Sequence, residues 1–198
     1  HLFSRLGDLV DHLHLRPGVI DLKDAFNLLS SLLSPIWPER PGQVGERGDV
    51  WYYSPESGPL SGAKVRLPFH KLTQWMLYSL VEAWQMHGID VINANLLTAL
   101  PEYRNGGLLL DLGILTPKKS DFSQRVYSPE TSEVLELRAM TVASLDDLAS
   151  IVCKKLNKEL SLAQILEGGT WAAGRQLAYK MRDEGTPPIQ YQADGTLF

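Results

Sequence analysis

The sequence TSEVLELRAMTVASLDDLASIVCKKL, residues 131–156, contains the most regular helical pattern of the chain. Its mostly apolar side chains recur every three or four residues, which places them on one face of a helix. The members of this face are Val134, Leu137, Thr141, Leu145, Leu148 and Val152. The pattern predicts one long amphipathic helix.

Shorter helical patterns lie on both sides of this stretch. Before it, helices are predicted at residues 2–13, at 22–33 with Asp21 as the cap, at 68–87, and from Glu102 onward. After it, Ser161 can cap a short helix, Gly168-Gly169 would break that helix, and residues 170–182 would resume it. The alternation of apolar and polar residues typical of strands is rare, so we predict a mainly α-helical fold with few or no strands.

The chain has 198 residues, which fits one helical domain over residues 1–198. Residues 34–66 hold five of the twelve prolines, and we predict that they form a long ordered connector with a short strand around residues 50–53. Connectors of this length are uncommon unless they are functional, so we expect this one to cover a site. Because the chain begins at His1 rather than at a methionine, we expect it to be a fragment or a processed form.

The composition is typical of a water-soluble globular protein, with 44% hydrophobic and 21% charged residues. The formal net charge of −4 provides no general attraction to nucleic acid or to anionic lipid, so neither is expected as a partner. No apolar run approaches the roughly 18 residues that span a bilayer. Cys153 is the single cysteine, which excludes an internal disulfide and favours a reducing compartment. We therefore expect a cytoplasmic protein.

Several common catalytic motifs are missing from the sequence. It contains no phosphate-binding loop, no dinucleotide-binding glycine pattern and no serine-hydrolase elbow, and one cysteine cannot build a cysteine-rich metal site. We expect neither a metal nor an organic cofactor.

Three segments are richer in polar side chains than packing alone requires, and the first is PFHKLTQW, residues 68–75. On a helix His70 and Gln74 are four residues apart, and Lys71 and Gln74 are three apart, so their side chains can converge. The segment is either a binding site or the solvated edge of a helix.

The second segment is LTALPEYRNGG, residues 97–107, which Asp111 follows closely. Glu102 would lie at the start of a helix, where the helix dipole favours the carboxylate and lowers its pKa. Gly106-Gly107 would let another backbone, or a ligand, approach closely.

The third segment is EGGTWAAGR, residues 167–175. A helix that begins after Gly-Gly-Thr exposes free backbone N–H groups, which can bind an anion. The alternative is tight helix packing through the small residues 172–174.

A structural alternative also exists for the second segment. Glu102 or Arg104 can form an ion pair with Glu136 or Arg138 of the long helix, and the sequence alone does not decide between this pair and a site.

Five blocks of the sequence resemble the signature blocks of the uracil catabolism protein 4 family. They occur in the family's order and cover nearly the whole chain, at residues 35–38, 69–75, 100–113, 166–175 and 194–198. Members of that family are about twice as long, so the resemblance implies that this chain is the C-terminal half. It also implies a role in a pathway that converts uracil, through its nucleotide and ring-opened ribosyl-urea intermediates, towards urea and a three-carbon acid. Contacts with the other half or with other pathway enzymes are expected from it.

A more distant resemblance concerns mechanism. Lys71 and Gln74, then LTA with Glu102-Tyr103-Arg104, then ELRA at 136–139 are similar in order to queuosine-nucleotide N-glycosylases. Those enzymes are helical and related in fold to DNA glycosylases, so a DNA-glycosylase-like helical architecture is expected. The chain differs from them in having Glu102 where they have an aspartate. The resemblance also places Glu136 and Arg138 among the substrate-binding residues.

We therefore expect an enzyme that hydrolyses the N-glycosidic bond of a ribosyl-urea or of a ring-opened pyrimidine nucleotide. The carboxylate that stabilises the cationic sugar is assigned to Glu102, with Asp111 and Glu167 as substitutes. A 5′-phosphate would be held by Lys71, Arg104 and Arg175, and polar groups of the base or urea by His70, Gln74 and Tyr103. Two alternatives stay open: a non-catalytic binding or partner protein of the same pathway, and an amidohydrolase acting on the same intermediate.

Overall fold

The computed structural model describes residue 5, residues 7–13, residues 18–192 and residue 197. Over these ranges the chain is mainly helical, as predicted. The helices are α1 Asp8–Leu13, α2 Leu22–Leu32, α3 Lys71–Met86, α4 Tyr103–Asp111, α5 Ser132–Leu156, α6 Leu162–Ile165 and α7 Ala172–Met181, and a π-helical turn at Leu166–Trp171 joins the last two. None of the helices in the described part of the chain is long and apolar enough to cross a bilayer.

The strands are short and form three separate pairs. In chain order they are β1 Val19–Asp21, β2 Val50–Tyr53, β3 Val65–Pro68, β4 Asp90–Ile92, β5 Val126–Tyr127 and β6 Gln190–Tyr191. β1 pairs with β4 and β5 with β6 in parallel, whereas β2 and β3 pair antiparallel. The strand predicted inside the connector is thereby confirmed as β2.

The amino-terminal and carboxy-terminal predictions are only partly covered by the structure. Of the helix predicted at residues 2–13, the structure shows Asp8–Leu13, and residues 2–4 and 6 lie outside the described residues. Residues 194–196 and 198 of the final block lie outside them as well.

Helix α5 is the central element of the core. Its buried residues are Val134, Leu135, Leu137, Arg138, Thr141 and Leu145. Val134 and Leu137 pack in a cluster with Phe122 and Ile189, Leu135 packs with Trp51, and Leu145 packs with Leu100 and Leu166. The long predicted helix is thus confirmed, and its N-terminal half buries the face that the periodicity indicated.

The start of α3 differs from the prediction. Pro68 does not begin the helix; it ends β3, where it lies opposite Val50 of β2, and α3 starts three residues later at Lys71. Proline is tolerated at a strand end because its missing N–H removes no essential bond of the sheet. The strand pairing, which depends on the distant connector, therefore decides where α3 starts.

The predicted break at Gly168-Gly169 is wrong. Both glycines lie inside the π-helical turn, which continues α6 into α7 without interruption of the helical backbone. Ser161 does cap α6, and its hydroxyl accepts a hydrogen bond from the backbone N–H of Gln164.

Helices α4 and α7 cross in close contact at Gly174. A Cβ atom placed on Gly174 would lie 2.5 Å from the backbone oxygen of Arg104, a distance that real Cβ contacts do not adopt. The packing interpretation of the third polar segment is confirmed at this glycine, and α7 thereby supports the first turn of α4.

Replacing Gly174 with alanine is expected to lower the free energy of unfolding by about 1–3 kcal/mol, because the new methyl group meets backbone that cannot move aside alone. Gly168→Ala is the matched control, since a Cβ at Gly168 meets no atom within 4 Å. Urea denaturation measures both variants. Equal stability of the two would contradict the close crossing.

Candidate functional site

The connector carries a buried aspartate to the start of α3. Asp49 is 1% exposed and has a left-handed backbone with φ of 51°. Its Oδ2 accepts a hydrogen bond of 2.9 Å from the backbone N–H of Lys71, and its Oδ1 accepts one of 2.9 Å from the indole of Trp51. Its backbone oxygen accepts a further bond from the N–H of Phe69. The first turn of α3 is therefore fixed to the connector by both backbone and side chain.

Arg138 of α5 forms a bidentate ion pair with the same aspartate. Its two terminal nitrogens donate to Asp49 Oδ1 and Oδ2 at 2.7 and 2.8 Å, and its side chain is 1% exposed. Its Nε donates to the backbone oxygen of Pro101 at 3.3 Å, and its guanidinium lies over the ring of Phe69 at 4.1 Å from the centroid. Arg138 thus connects α5, the connector and the segment before α4. The structure places this predicted substrate-binding residue inside the core.

Glu102 caps the N-terminus of α4. Its Oε1 accepts a hydrogen bond of 2.6 Å from the N–H of Asn105, and its Oε2 accepts one of 2.9 Å from the N–H of Arg104. The residue is 5% exposed. Asn105 is held in turn by the hydroxyl of Thr170 from the π-helical turn, at 2.9 Å. The carboxylate is therefore fixed in one orientation at the positive end of a helix.

Burial changes the acidity of two neighbouring groups in this region. It raises the pKa of Glu102 above its ordinary value, although the two backbone N–H groups, Lys71 and Arg104 each act in the opposite direction. The expectation that the helix start lowers this pKa is therefore wrong, because desolvation exceeds the effect of the helix terminus. Burial likewise lowers the pKa of Lys71 to about 8, opposed by the charge of Glu102. The two side chains thus act on each other electrostatically.

A cleft of about 820 Å³ lies beside Glu102. Tyr103, Arg104 and Tyr191 line it, together with Arg182 and the segment 184–190. Glu102 is not one of the lining residues, but its charge reaches the cleft. Burial, then Tyr103, then the charge of Glu102 raise the pKa of Tyr191. The carboxylate therefore influences the cleft without forming part of its surface.

Arg104 lines this cleft. Among the described residues its guanidinium makes one long hydrogen bond, 3.4 Å to the backbone oxygen of Gly185, and its Nε has no partner. The guanidinium stacks on the ring of Tyr103 at 4.9 Å from the centroid. This arrangement leaves a cation available for an anionic ligand.

Gln74 and His70 are placed in the fold rather than at a solvated helix edge. The Gln74 amide donates to the backbone oxygen of Phe69 at 2.9 Å and to the Thr98 hydroxyl at 3.0 Å, and its Oε1 accepts from the N–H of Thr98 at 2.7 Å. Gln74 therefore fixes the 97–101 segment to α3 and has no free donor. His70 lies edge-on to Phe26, and burial lowers the pKa of its imidazole.

Two other predicted residues form ion pairs away from Glu102. Asp111 accepts two hydrogen bonds from Arg182, at 2.7 and 2.6 Å, and its side chain is buried. Glu136 pairs with exposed Lys118 at 3.1 Å and borders a separate cavity of about 290 Å³. The sequence left open an ion pair between Glu102 or Arg104 and a residue of α5. In the structure the α5 residues have other partners: Arg138 pairs with Asp49, and Glu136 pairs with Lys118.

Glu167 and Arg175 are exposed on the π-helical turn and on α7, and neither lines the 820 Å³ cleft. In the described ranges no group of three or more histidine, cysteine, aspartate or glutamate side chains is arranged to hold a metal ion.

Asp49 is the residue of this region that sequence reasoning missed. Its partner Arg138 lies 89 residues away, and the connector around it has no periodicity from which a buried acid could be inferred. The available sequence signal was the glycine-rich run before Asp49, and it indicates a turn rather than an ion pair.

Comparison with known proteins gives consistent matches. The family described as "Protein of unknown function (DUF1688)" matches residues 1–198. The chain is 43% identical over 186 residues to protein urg3 of Schizosaccharomyces pombe, an alignment that covers 90% of this chain and 45% of that protein. It is 38% identical over 225 residues to uracil catabolism protein 4 of Lachancea kluyveri, which covers 98% of this chain and 51% of that protein. The chain thus spans about half the length of the curated relatives it matches.

Proposed function

The chain belongs to the uracil catabolism protein 4 family, and we propose that it acts in uracil breakdown by hydrolysing the N-glycosidic bond of a ribosyl-urea or of a ring-opened pyrimidine nucleotide. The name of the Lachancea relative supports the pathway. The bond is inferred from the site.

One observation supports the choice of bond. The buried carboxylate of Glu102 has a fixed orientation and interacts electrostatically with Lys71 and Arg104. Arg104 lines a cleft that can admit a nucleotide-sized ligand. Breaking a C1′–N bond develops positive charge at the anomeric carbon, which a fixed carboxylate stabilises more than it stabilises the neutral ground state. Glu102 is held for this role by two backbone N–H groups rather than by a neutralising ion pair. No ion pair neutralises its charge, which would act on a sugar in the cleft electrostatically, from just outside the cleft lining.

The remaining groups of the cleft are assigned by position. Arg104 would bind the 5′-phosphate, because it lines the cleft with free donors, and Tyr103 and Tyr191 would contact the base or urea. Lys71 lies beside Glu102 but does not line the cleft, so a phosphate contact is not assigned to it. In the overall reaction water adds across the bond: C1′ gains the oxygen and the urea nitrogen gains the proton.

An assay of products tests the proposal. The purified protein is incubated with ribosyl-urea 5-phosphate and, separately, with ring-opened uridine nucleotide, and free urea and ribose 5-phosphate are quantified. We expect ribose 5-phosphate with an equal amount of free urea from ribosyl-urea 5-phosphate, and with an equal amount of the urea that still carries the three-carbon chain from the ring-opened nucleotide, which is quantified alongside. Ammonia without urea would instead indicate an amidohydrolase, and tight binding without any product would indicate a non-catalytic binding protein.

Arg104→Ala is expected to raise the KM for a phosphorylated substrate about 10- to 100-fold, the effect of losing a charge-assisted hydrogen bond. The unphosphorylated nucleoside analogue should show no such change, because it offers the guanidinium no anion. Arg175→Ala is the matched control, since this exposed arginine lies outside the cleft lining. Steady-state kinetics with the two substrates measure the effect, and an equal rise in KM for both would refute a phosphate contact.

A further inference from the structure

The turn that follows α7 forms one wall of the 820 Å³ cleft, and Arg182 holds it at both ends. The two terminal nitrogens of Arg182 donate to the buried carboxylate of Asp111 at 2.7 and 2.6 Å, and its Nε donates to the backbone oxygen of Thr186 at 2.6 Å. Within the turn, the N–H of Gly185 donates to the backbone oxygen of Arg182 at 3.2 Å. A Cβ atom at Gly185 would lie 2.9 Å from the ring of Tyr179, so the turn also packs closely on α7. This wall of the cleft therefore has one fixed conformation.

Glu184 has a strained backbone in this turn. Its φ of 61° and ψ of 5° lie in the left-handed region, which residues other than glycine and asparagine seldom adopt. Strain of this kind persists where the surrounding structure imposes it, and it is concentrated at functional sites. Glycine would fit the same backbone without strain. The glutamate therefore lowers stability at a place where its side chain can contact a ligand.

Two opposite charges line the cleft near this turn. Among the described residues of the lining, only Glu184 has a carboxylate, and its side chain forms no hydrogen bond or ion pair with the described part of the chain. Arg104 lies close to it, because its Nη1 is 3.4 Å from the backbone oxygen of Gly185, the next residue. No ion pair joins the two side chains, so each is left for a ligand. A complementary ligand carries an anion and, a short distance away, hydrogen-bond donors for the carboxylate.

We propose that Glu184 is a substrate-binding residue that accepts hydrogen bonds from the 2′- and 3′-hydroxyls of the ribose whose 5′-phosphate Arg104 binds; this inference rests on the proposed function. A carboxylate has two acceptor oxygens, and a vicinal diol has two O–H donors on neighbouring carbons, so the two groups can pair at both oxygens. In a ribose 5′-phosphate the diol lies a few bonds from the phosphate, which agrees with the neighbouring positions of Glu184 and Arg104. Glu184 thereby selects ribosyl over deoxyribosyl substrates.

Equilibrium binding tests this contact without requiring turnover. Isothermal titration calorimetry compares ribose 5-phosphate with 2-deoxyribose 5-phosphate, which has the same phosphate but lacks one of the two hydroxyls. The wild-type protein should bind the deoxy sugar about 10- to 100-fold more weakly, the effect of losing a hydrogen bond to a charged group. Glu184→Gly should lose this preference. Asp183→Asn is the matched control and should keep it, since this exposed neighbouring acid does not line the cleft. An unchanged preference in Glu184→Gly would overturn the proposal.

Inorganic phosphate and thermal stability separate a binding role of Glu184 from a structural one. Glu184→Gly should bind inorganic phosphate no more weakly than the wild type, because Arg104 remains and the change removes a neighbouring negative charge. Its melting temperature should be at least that of the wild type, because glycine relieves the left-handed strain. A variant that loses affinity for phosphate and for both sugars by the same factor would show that the residue only shapes the turn, and it would refute the contact.

The same measurements distinguish this inference from the proposed function. If the donors were the N–H groups of the urea, ribose 5-phosphate would bind Glu184→Gly as tightly as the wild type, and the hydroxyl contact would be wrong. If the preference for ribose depends on Glu184 but no substrate is cleaved, the contact stands and the glycosidic function fails. If substrate is cleaved and Glu184→Gly keeps the preference, the glycosidic function stands and the contact fails.

Discussion

Replacing Asp49 with asparagine is expected to lower the free energy of unfolding by about 3–5 kcal/mol, the cost of removing one charge of a buried ion pair. Asparagine keeps the shape and tolerates the left-handed backbone, but it removes the charge that neutralises Arg138. That guanidinium is 1% exposed and cannot turn to solvent. Typical domains are stable by only about 5–15 kcal/mol, so urea denaturation followed by circular dichroism will detect the change readily.

Two further variants make this prediction specific. Asp121→Asn removes the acid of the exposed Arg125–Asp121 pair and should cost less than about 1 kcal/mol. The double variant Asp49→Asn/Arg138→Met removes both charges of this pair, so it should be more stable than Asp49→Asn alone. A loss at Asp49 as small as that at Asp121, or a double variant no more stable than Asp49→Asn alone, would show that this ion pair does not hold α5, the connector and α3 together.

Elements that depend on local signals could be predicted from the sequence. The periodicity of residues 131–156 gave α5, and Asp21 caps α2 by accepting from the N–H of Lys23, as expected. Glu102 was expected at a helix start, and it caps α4 there. Each of these features is decided by residues within one or two helical turns.

Features decided by distant residues could not be predicted in this way. The start of α3 depends on β3 pairing with β2, and Gly168-Gly169 lie in a helical turn that leads into α7, which contacts α4 at Gly174. The pKa of Glu102 was expected to be lowered because only its own helix was considered, whereas burial by the surrounding elements has the larger effect. Helix spacing likewise predicted that Gln74 binds substrate, whereas in the structure its side-chain amide is hydrogen-bonded to Thr98.

Glu102→Gln is expected to lower kcat for glycosidic cleavage about 10²- to 10⁴-fold with little change in KM. Glutamine has the same shape and its amide oxygen can still accept one of the two backbone N–H groups, so the cap is weakened by only about 1 kcal/mol. It cannot carry the negative charge that stabilises the anomeric centre. Glu167→Gln, at the exposed carboxylate of the π-helical turn, is the matched control and should retain activity. Equal losses in the two variants would remove the assignment.

The pH profile distinguishes a chemical role of Glu102 from a structural one. The active form is the carboxylate, so activity should decrease as the pH falls through the pKa of Glu102. Because burial raises that pKa, the decrease should begin at a higher pH than for an exposed glutamate. The residual activity of Glu102→Gln should lack this acid limb, since the amide does not titrate. A helix cap that merely supports α4 would lower activity at every pH by the same factor, and a variant whose acid limb stays in place would assign the titration to another group.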